Sequence, residues 1–193
     1  MLLSRSSAYA LVCVAGVFVL WRGVLPAFTQ IDTDFPNYYT AGAIARSGVD
    51  TERLYDDAWF QEEIRRHGIH QQGKFSPFPP PTALLFIPFS FLSPMAALQT
   101  LSALNVLFLI AAVYLIRRLF GFSVVESLAF VLLSGWGLAN CFRFGQLYIA
   151  LSLSMLAAVH FTREQRNALA GMCIGALLPI KYFSSLLLVD ENL

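Results

Sequence analysis

Long apolar runs separated by short polar stretches dominate the chain. A hydrocarbon core about 30 Å thick takes about 20 apolar residues as helix. Residues 7–25, 96–116, 122–140, 146–161 and 168–189 approach that length and are predicted as five membrane-spanning helices. The fourth is short and borrows from its flanks. A further apolar run, "PPPTALLFIPFSFLSP" at residues 79–94, is interrupted by Pro88. With only about 14 residues between its bounding prolines, it suits an interfacial or re-entrant helix better than a span. The predicted fold class is all-α: a polytopic membrane protein forming one membrane domain over residues 1–193.

The basic residues test this division, because cytoplasmic loops collect Lys and Arg. With residues 79–94 in the interface, Arg5, the Arg117–Arg118 pair and the Arg163/Arg166 loop all fall on the inner side. A sixth span there would set the last two groups opposite Arg5, so five spans are expected. Residues 26–95 then form one long extracytoplasmic loop, which from 26 to 78 carries eight acids against five bases. Two short helices are predicted within it. One starts near Phe35, with Asp34 as candidate N-cap, and stops at Gly48. The other runs from about Asp57 to Gly68, with acids early and arginines late, as the helix dipole prefers.

Composition sharpens the membrane reading. Of 193 residues, 57% are hydrophobic and 13% charged, against about a quarter charged in soluble domains. A net charge of +1 gives no bulk field for nucleic acid. Cys13, Cys141 and Cys173 are scattered and form no CxxC pair, so neither a disulfide framework nor a zinc site is expected. Residues 7–25 could pass for a signal peptide. No small-x-small cleavage site follows before Pro26 and Phe28, so an uncleaved first span is expected.

Candidate chemistry gathers at one end of these helices. Asp34 is an ordinary N-cap or, at a lipid–water boundary, a carboxylate able to take a proton from a nucleophile, with Asp32 as fallback. Arg143 and Gln146 stand at an outer helix junction, where an arginine either anchors in the interface or grips a phosphate. Lys181 lies within an apolar run, roughly 20 Å from the inner start of its helix at ~1.5 Å per residue. An intramembrane cation snorkels, pairs or lines a polar cavity. His67 and His70 are three apart, but Gly68 between them is expected to end the helix, so a shared metal site is disfavoured. Acid and cations meeting at an outer lipid interface suit a reaction whose donor is a lipid-linked phosphate. A transporter-like fragment, or a truncated remnant acting by assembly, is the non-catalytic alternative. Transporters place polar residues near the midplane and show repeated halves, whereas here the polar residues gather at one face and no repeat is visible.

An ordered set of short motifs carries a resemblance. Asp34-Phe35 precedes Tyr38-Tyr39-Thr40-Ala41, then Leu54-Tyr55-Asp56 and the block "PFPPPTALLFIPFSFLSPMAA". Gly145-Gln146 opens a span, and Ala170-Gly171 precedes Lys181. Together, from about residue 30 to 189, they resemble glycosyltransferase family 87. These are GT-C integral-membrane enzymes that include polyprenyl-phosphate-mannose-dependent mannosyltransferases. Members are about twice as long, so the chain is expected to correspond to the N-terminal half of such a module. The resemblance implies transfer of a hexose, mannose foremost, from a polyprenyl-phosphate donor to a lipid or glycan acceptor. It places this at the outer face of the plasma membrane (a bacterial inner membrane), with inversion at the anomeric carbon. On that analogy Asp34 is the general base, and Arg143 and Lys181 neutralise the leaving phosphate. Gln146 belongs to the substrate site, and Tyr38, Tyr39 and the proline block line the acceptor or lipid cleft. No metal or other cofactor is implied, because basic side chains stand in for one, and membrane lipids are the surrounding partners.

Overall fold

The computed structural model describes residues 5–176, and among these every regular element is helical. In chain order they are α1 (Arg5–Val19), a π-helical turn (Leu20–Val24), α2 (Leu25–Ala27), α3 (Phe35–Ser47), a 3-10 turn (Thr51–Arg53), α4 (Asp57–Arg66) and α5 (Pro80–Phe86). A second 3-10 turn (Pro88–Phe91) leads into α6 (Pro94–Phe120), α7 (Val124–Leu132), α8 (Trp136–Arg143), α9 (Tyr148–Arg163) and α10 (Asn167–Gly175).

Two of these helices are long and apolar enough to cross a membrane: Ser6–Ala27, which joins α1 to α2 through the π turn, and Pro94–Phe120. Both were expected from their apolar runs. The predicted third span is broken. α7 and α8 are bent by 74° to one another and count as a span only if taken together. The cause lies at Gly135, whose φ of +51° and ψ of −110° fit no regular helix and are open only to glycine. Ser134 and Gly135 close α7 with turn bonds to Val131 and Leu132. α9 has 16 residues, about 24 Å at ~1.5 Å per residue, short of a ~30 Å core. The start of the predicted fifth span is α10; the remainder, with Lys181, lies outside the described residues.

Within the segment 79–94 no helix reaches the length of a span. Pro88 removes an amide and clashes with the preceding turn, so α5 gives way to the 3-10 turn. Leu84, Leu85 and Phe91 stay exposed on its surface.

The loop helices start and stop where side chains dictate. α3 ends at Gly48, whose φ is +67° and whose N–H reaches the Ile44 carbonyl. α4 begins at Asp56, which accepts from the Trp59 amide at 3.1 Å, and ends one residue before His67, a little earlier than predicted. α6 has a Ser93 cap and closes at Gly121 with φ +70°.

Two cores form. The loop core packs Phe35, Tyr38, Phe60, Phe75 and Phe86 against Leu98 and Leu101 of α6. The second joins Val19 to Leu138, Phe142 and Ile149, tying α1 to α8 and α9. α6 has 27 residues, about 40 Å of helix, longer than the hydrocarbon it would cross. Its first turns therefore rise into the loop core, which is how a loop and a helix bundle share one wall. At the opposite end of α6, Arg118 pairs with Glu164 at 3.0 Å and Arg163 donates to the Leu119 carbonyl at 2.6 Å. The arginine-rich ends thus gather away from the loop.

Candidate functional site

The residues between α2 and α3 meet the junction between α8 and α9. Asp34 holds the predicted N-cap position of α3, yet its side chain makes no capping hydrogen bond. Two local facts explain this. Pro36 brings no N–H to the first turn, and the Asn37 amide already donates to the main-chain carbonyl of Asp34 at 3.1 Å. The carboxylate is left to reach across the fold, where Oδ2 accepts a short hydrogen bond from Nε2 of Gln146.

Asp32, two residues earlier, faces the same junction. Its Oδ1 accepts the Thr33 amide at 2.9 Å, and its Oδ2 accepts Nε of Arg143 at 2.7 Å. The pair is partly shielded, with side-chain exposures of 33% for Arg143 and 19% for Asp32. Arg143 is thus a partner of Asp32 before it is anything else. The two carboxylates are held differently: Asp32 is matched by a cation, whereas Asp34 is held by a neutral amide.

Gly145 makes this approach possible. Its φ is +64°, and a Cβ placed there would lie 2.9 Å from both Leu98 Cδ1 and Phe35 Cβ. Phe35 directly follows Asp34, so the glycine lets the junction press against the start of α3 and delivers Gln146 to the carboxylate. The Gln146 main chain is tied on both sides. Its N–H donates to Cys141 at 2.9 Å, and its carbonyl accepts Nδ2 of the fully buried Asn105 at 3.2 Å.

Tyr38 and Tyr39 sit elsewhere than an open cleft. Both are buried in the loop core. The Tyr38 ring stacks on Phe86 at 4.9 Å and leans on Phe78, while the Tyr39 hydroxyl donates to the Leu92 carbonyl at 2.8 Å. Tyr38 is buried there because α3 packs against α5. Burial raises the Tyr38 phenol far above its ordinary pKa, and the nearby Asp34 carboxylate adds to the effect. Tyr38 therefore stays protonated beside the acid.

Lys181 lies outside the described residues, so its distance from this constellation is undefined. His67 packs edge-on against the Tyr39 ring at 5.5 Å. Among the described residues no group of three His, Cys, Asp or Glu is placed to hold a metal.

Gln146 is also a wall residue of a cavity of about 680 Å³ between α6, α7, α8 and α9. Leu109, Phe130, Leu138, Ile149 and Met155 make it mainly apolar, with Asn140, Tyr148 and Ser152 among the polar groups. Its size is within the few-hundred to ~1,000 Å³ range of small-ligand sites. Sequence reasoning missed Asn105 and the pairing of Asp32 with Arg143. A lone Asn inside the run at 96–116 was the available signal for the first; the second had none without the fold.

No curated protein and no solved structure matches the chain. Residues 77–190 match the family model of Glycosyltransferase family 87, a stretch that takes in the proline block, α6 to α10 and the Gly145-Gln146 junction. That is more than half of the sequence, and the protein belongs to glycosyltransferase family 87.

Proposed function

We propose that the protein transfers a hexose, mannose foremost, from a polyprenyl-phosphate donor to a lipid or glycan acceptor, with Asp34 as general base. The observation that carries this reading is the pairing of Asp34 with Gln146. The carboxylate at the cap position is turned away from its own helix and held by an amide beside an Asp32–Arg143 ion pair.

In the proposed reaction Asp34 takes the proton of an acceptor hydroxyl. The oxygen attacks the anomeric carbon, and the bond from that carbon to the phosphate oxygen breaks. The electron pair leaves with the polyprenyl phosphate, and configuration inverts. A base so placed accounts for roughly 10²–10⁴ in rate. The guanidinium of Arg143 touches Asp32 through Nε and so has donors remaining for a phosphate oxygen. Lys181 is the second proposed cation. The apolar cavity beside Gln146 suits the hydrocarbon chain of a lipid substrate.

The proposed location is the plasma membrane, with the reaction at its extracytoplasmic face. Arg117, Arg118, Arg163 and Arg166 stand at the ends of α6 and α9 away from Asp34, and the positive-inside rule assigns such an end to the cytoplasm. The test is donor choice. Membranes containing the protein should transfer label from polyprenyl-phosphate mannose and not from a nucleotide sugar. Transfer from the nucleotide sugar alone would overturn the reading.

A further inference from the structure

We propose that Asn105 is a positioning residue: it fixes the Gln146 peptide so that the amide side chain of Gln146 meets Asp34. The catalytic part of this inference rests on the function proposed above; the positional part does not.

Asn105 is the twelfth residue of α6 and is completely buried. Its Nδ2 donates to the main-chain carbonyl of Gln146, 41 residues further along the chain. Its Oδ1 finds no partner among the described residues, and neither does Ser102 Oγ, one turn earlier on the same face. A half-used amide inside an apolar helix is unfavourable for folding, whereas an apolar side chain there would carry no such penalty. A residue that costs stability where it stands is best understood by what its one bond does.

That bond completes a clamp. The N–H of Gln146 is held by the Cys141 carbonyl and its C=O by Asn105. Gly145, immediately before it, is wedged against Phe35 and Leu98. With both ends of the residue fixed, only the side chain is free to swing, and its Nε2 falls on Asp34. Without Asn105 the carbonyl of Gln146 faces an apolar wall, and the peptide plane is free to rotate and carry the side chain away. The chain of contacts runs from α6 through the α8–α9 junction to the start of α3, with Asn105 remote from the carboxylate it serves.

The experiment compares the full-length chain with Asn105→Ala and Asn105→Leu, one smaller and one larger than asparagine and both without the donor, and each again in a Gln146→Ala background. Two readouts are taken. Amide exchange over residues 145–148 should quicken in both single variants. Turnover should fall about ten- to hundredfold with KM for the donor within twofold, as expected when a group is misplaced by an ångström or so. In the Gln146→Ala background the Asn105 change should lower kcat no further. Unchanged exchange at residues 145–148 overturns the proposal, as does a loss of kcat that multiplies with that of Gln146→Ala. If the unaltered protein transfers no sugar from any donor, the proposed function fails. The exchange measurement still decides the positional claim, quickened exchange supporting it.

Discussion

Gly145→Ala tests whether close packing at the α8–α9 junction delivers Gln146 to Asp34. Two costs arise from the geometry. The residue sits at φ +64°, a left-handed conformation that costs an L-residue roughly 1–2 kcal/mol. The new methyl would also stand 2.9 Å from Leu98 Cδ1 and Phe35 Cβ, and overpacking of that kind costs about 1–3 kcal/mol. The sum, about 2–5 kcal/mol, corresponds to a fall in Tm on the order of 5–15 °C for a chain of this size. Gly48→Ala separates the two costs. Its φ is +67°, but nothing lies within 4 Å of the added methyl, so only the conformational part applies, roughly 1–2 kcal/mol. Thermal unfolding of both variants in the same detergent should find Gly145→Ala clearly the less stable. Because Phe35 must yield, its transferase activity should fall as well. Equal Tm values for the two variants would refute the close approach.

Other consequences are separable. Gly42→Ala should destabilise by about 2 kcal/mol or more, because the added Cβ would lie 2.6 Å from the Phe86 main chain, which cannot swing aside as a side chain can; thermal unfolding reads it. Arg143→Ala should raise KM for the proposed lipid-phosphate donor about tenfold or more, since hydrogen bonds to charged groups contribute about 1.5–3 kcal/mol. Arg143→Lys should recover little, because an ammonium lacks the guanidinium fork; initial rates against donor concentration measure both. Burial holds the His67 imidazole below its ordinary 6.5, so the unfolded chain binds that proton more tightly than the folded one. Its contribution to stability is complete above about pH 6.5 and is lost as pH falls toward the folded value. Amide protection in α3 and α4 should weaken as pH drops from about 7 to about 5, and His67→Phe should flatten that dependence.

What could be read from the sequence was local, and what escaped it was where distant segments meet. The loop helices announce themselves through Asp34, Gly48 and the ordering of acids and arginines in α4, all features of neighbouring residues. The first span and α6 follow from apolar length alone. The break between α7 and α8 was masked because "LLSGWG" is apolar enough to continue a span, while the positive φ of Gly135 that turns the chain does not show in composition. At the site, Asp34 was legible as a cap by position. Its missing bond depends on Pro36 and on an amide 112 residues away. The family resemblance implied Tyr38 and Tyr39 as cleft-lining residues; the structure buries both in the loop core, with the Tyr38 ring stacked on Phe86 of α5. The Asp32–Arg143 pair spans 111 residues and needed the bundle to bring its ends together.

The central claim is that Asp34 performs the proton transfer, and the most direct measurement is sugar transfer by Asp34→Asn against the unaltered protein in the same membranes. Asparagine keeps the size of the side chain and its oxygen can still accept the Gln146 amide, so folding should hold while the base is lost. In Asp34→Asn kcat should fall about 10²-fold or more with donor binding retained. Transfer at the unaltered rate would contradict it, leaving Asp34 as a structural partner of Gln146.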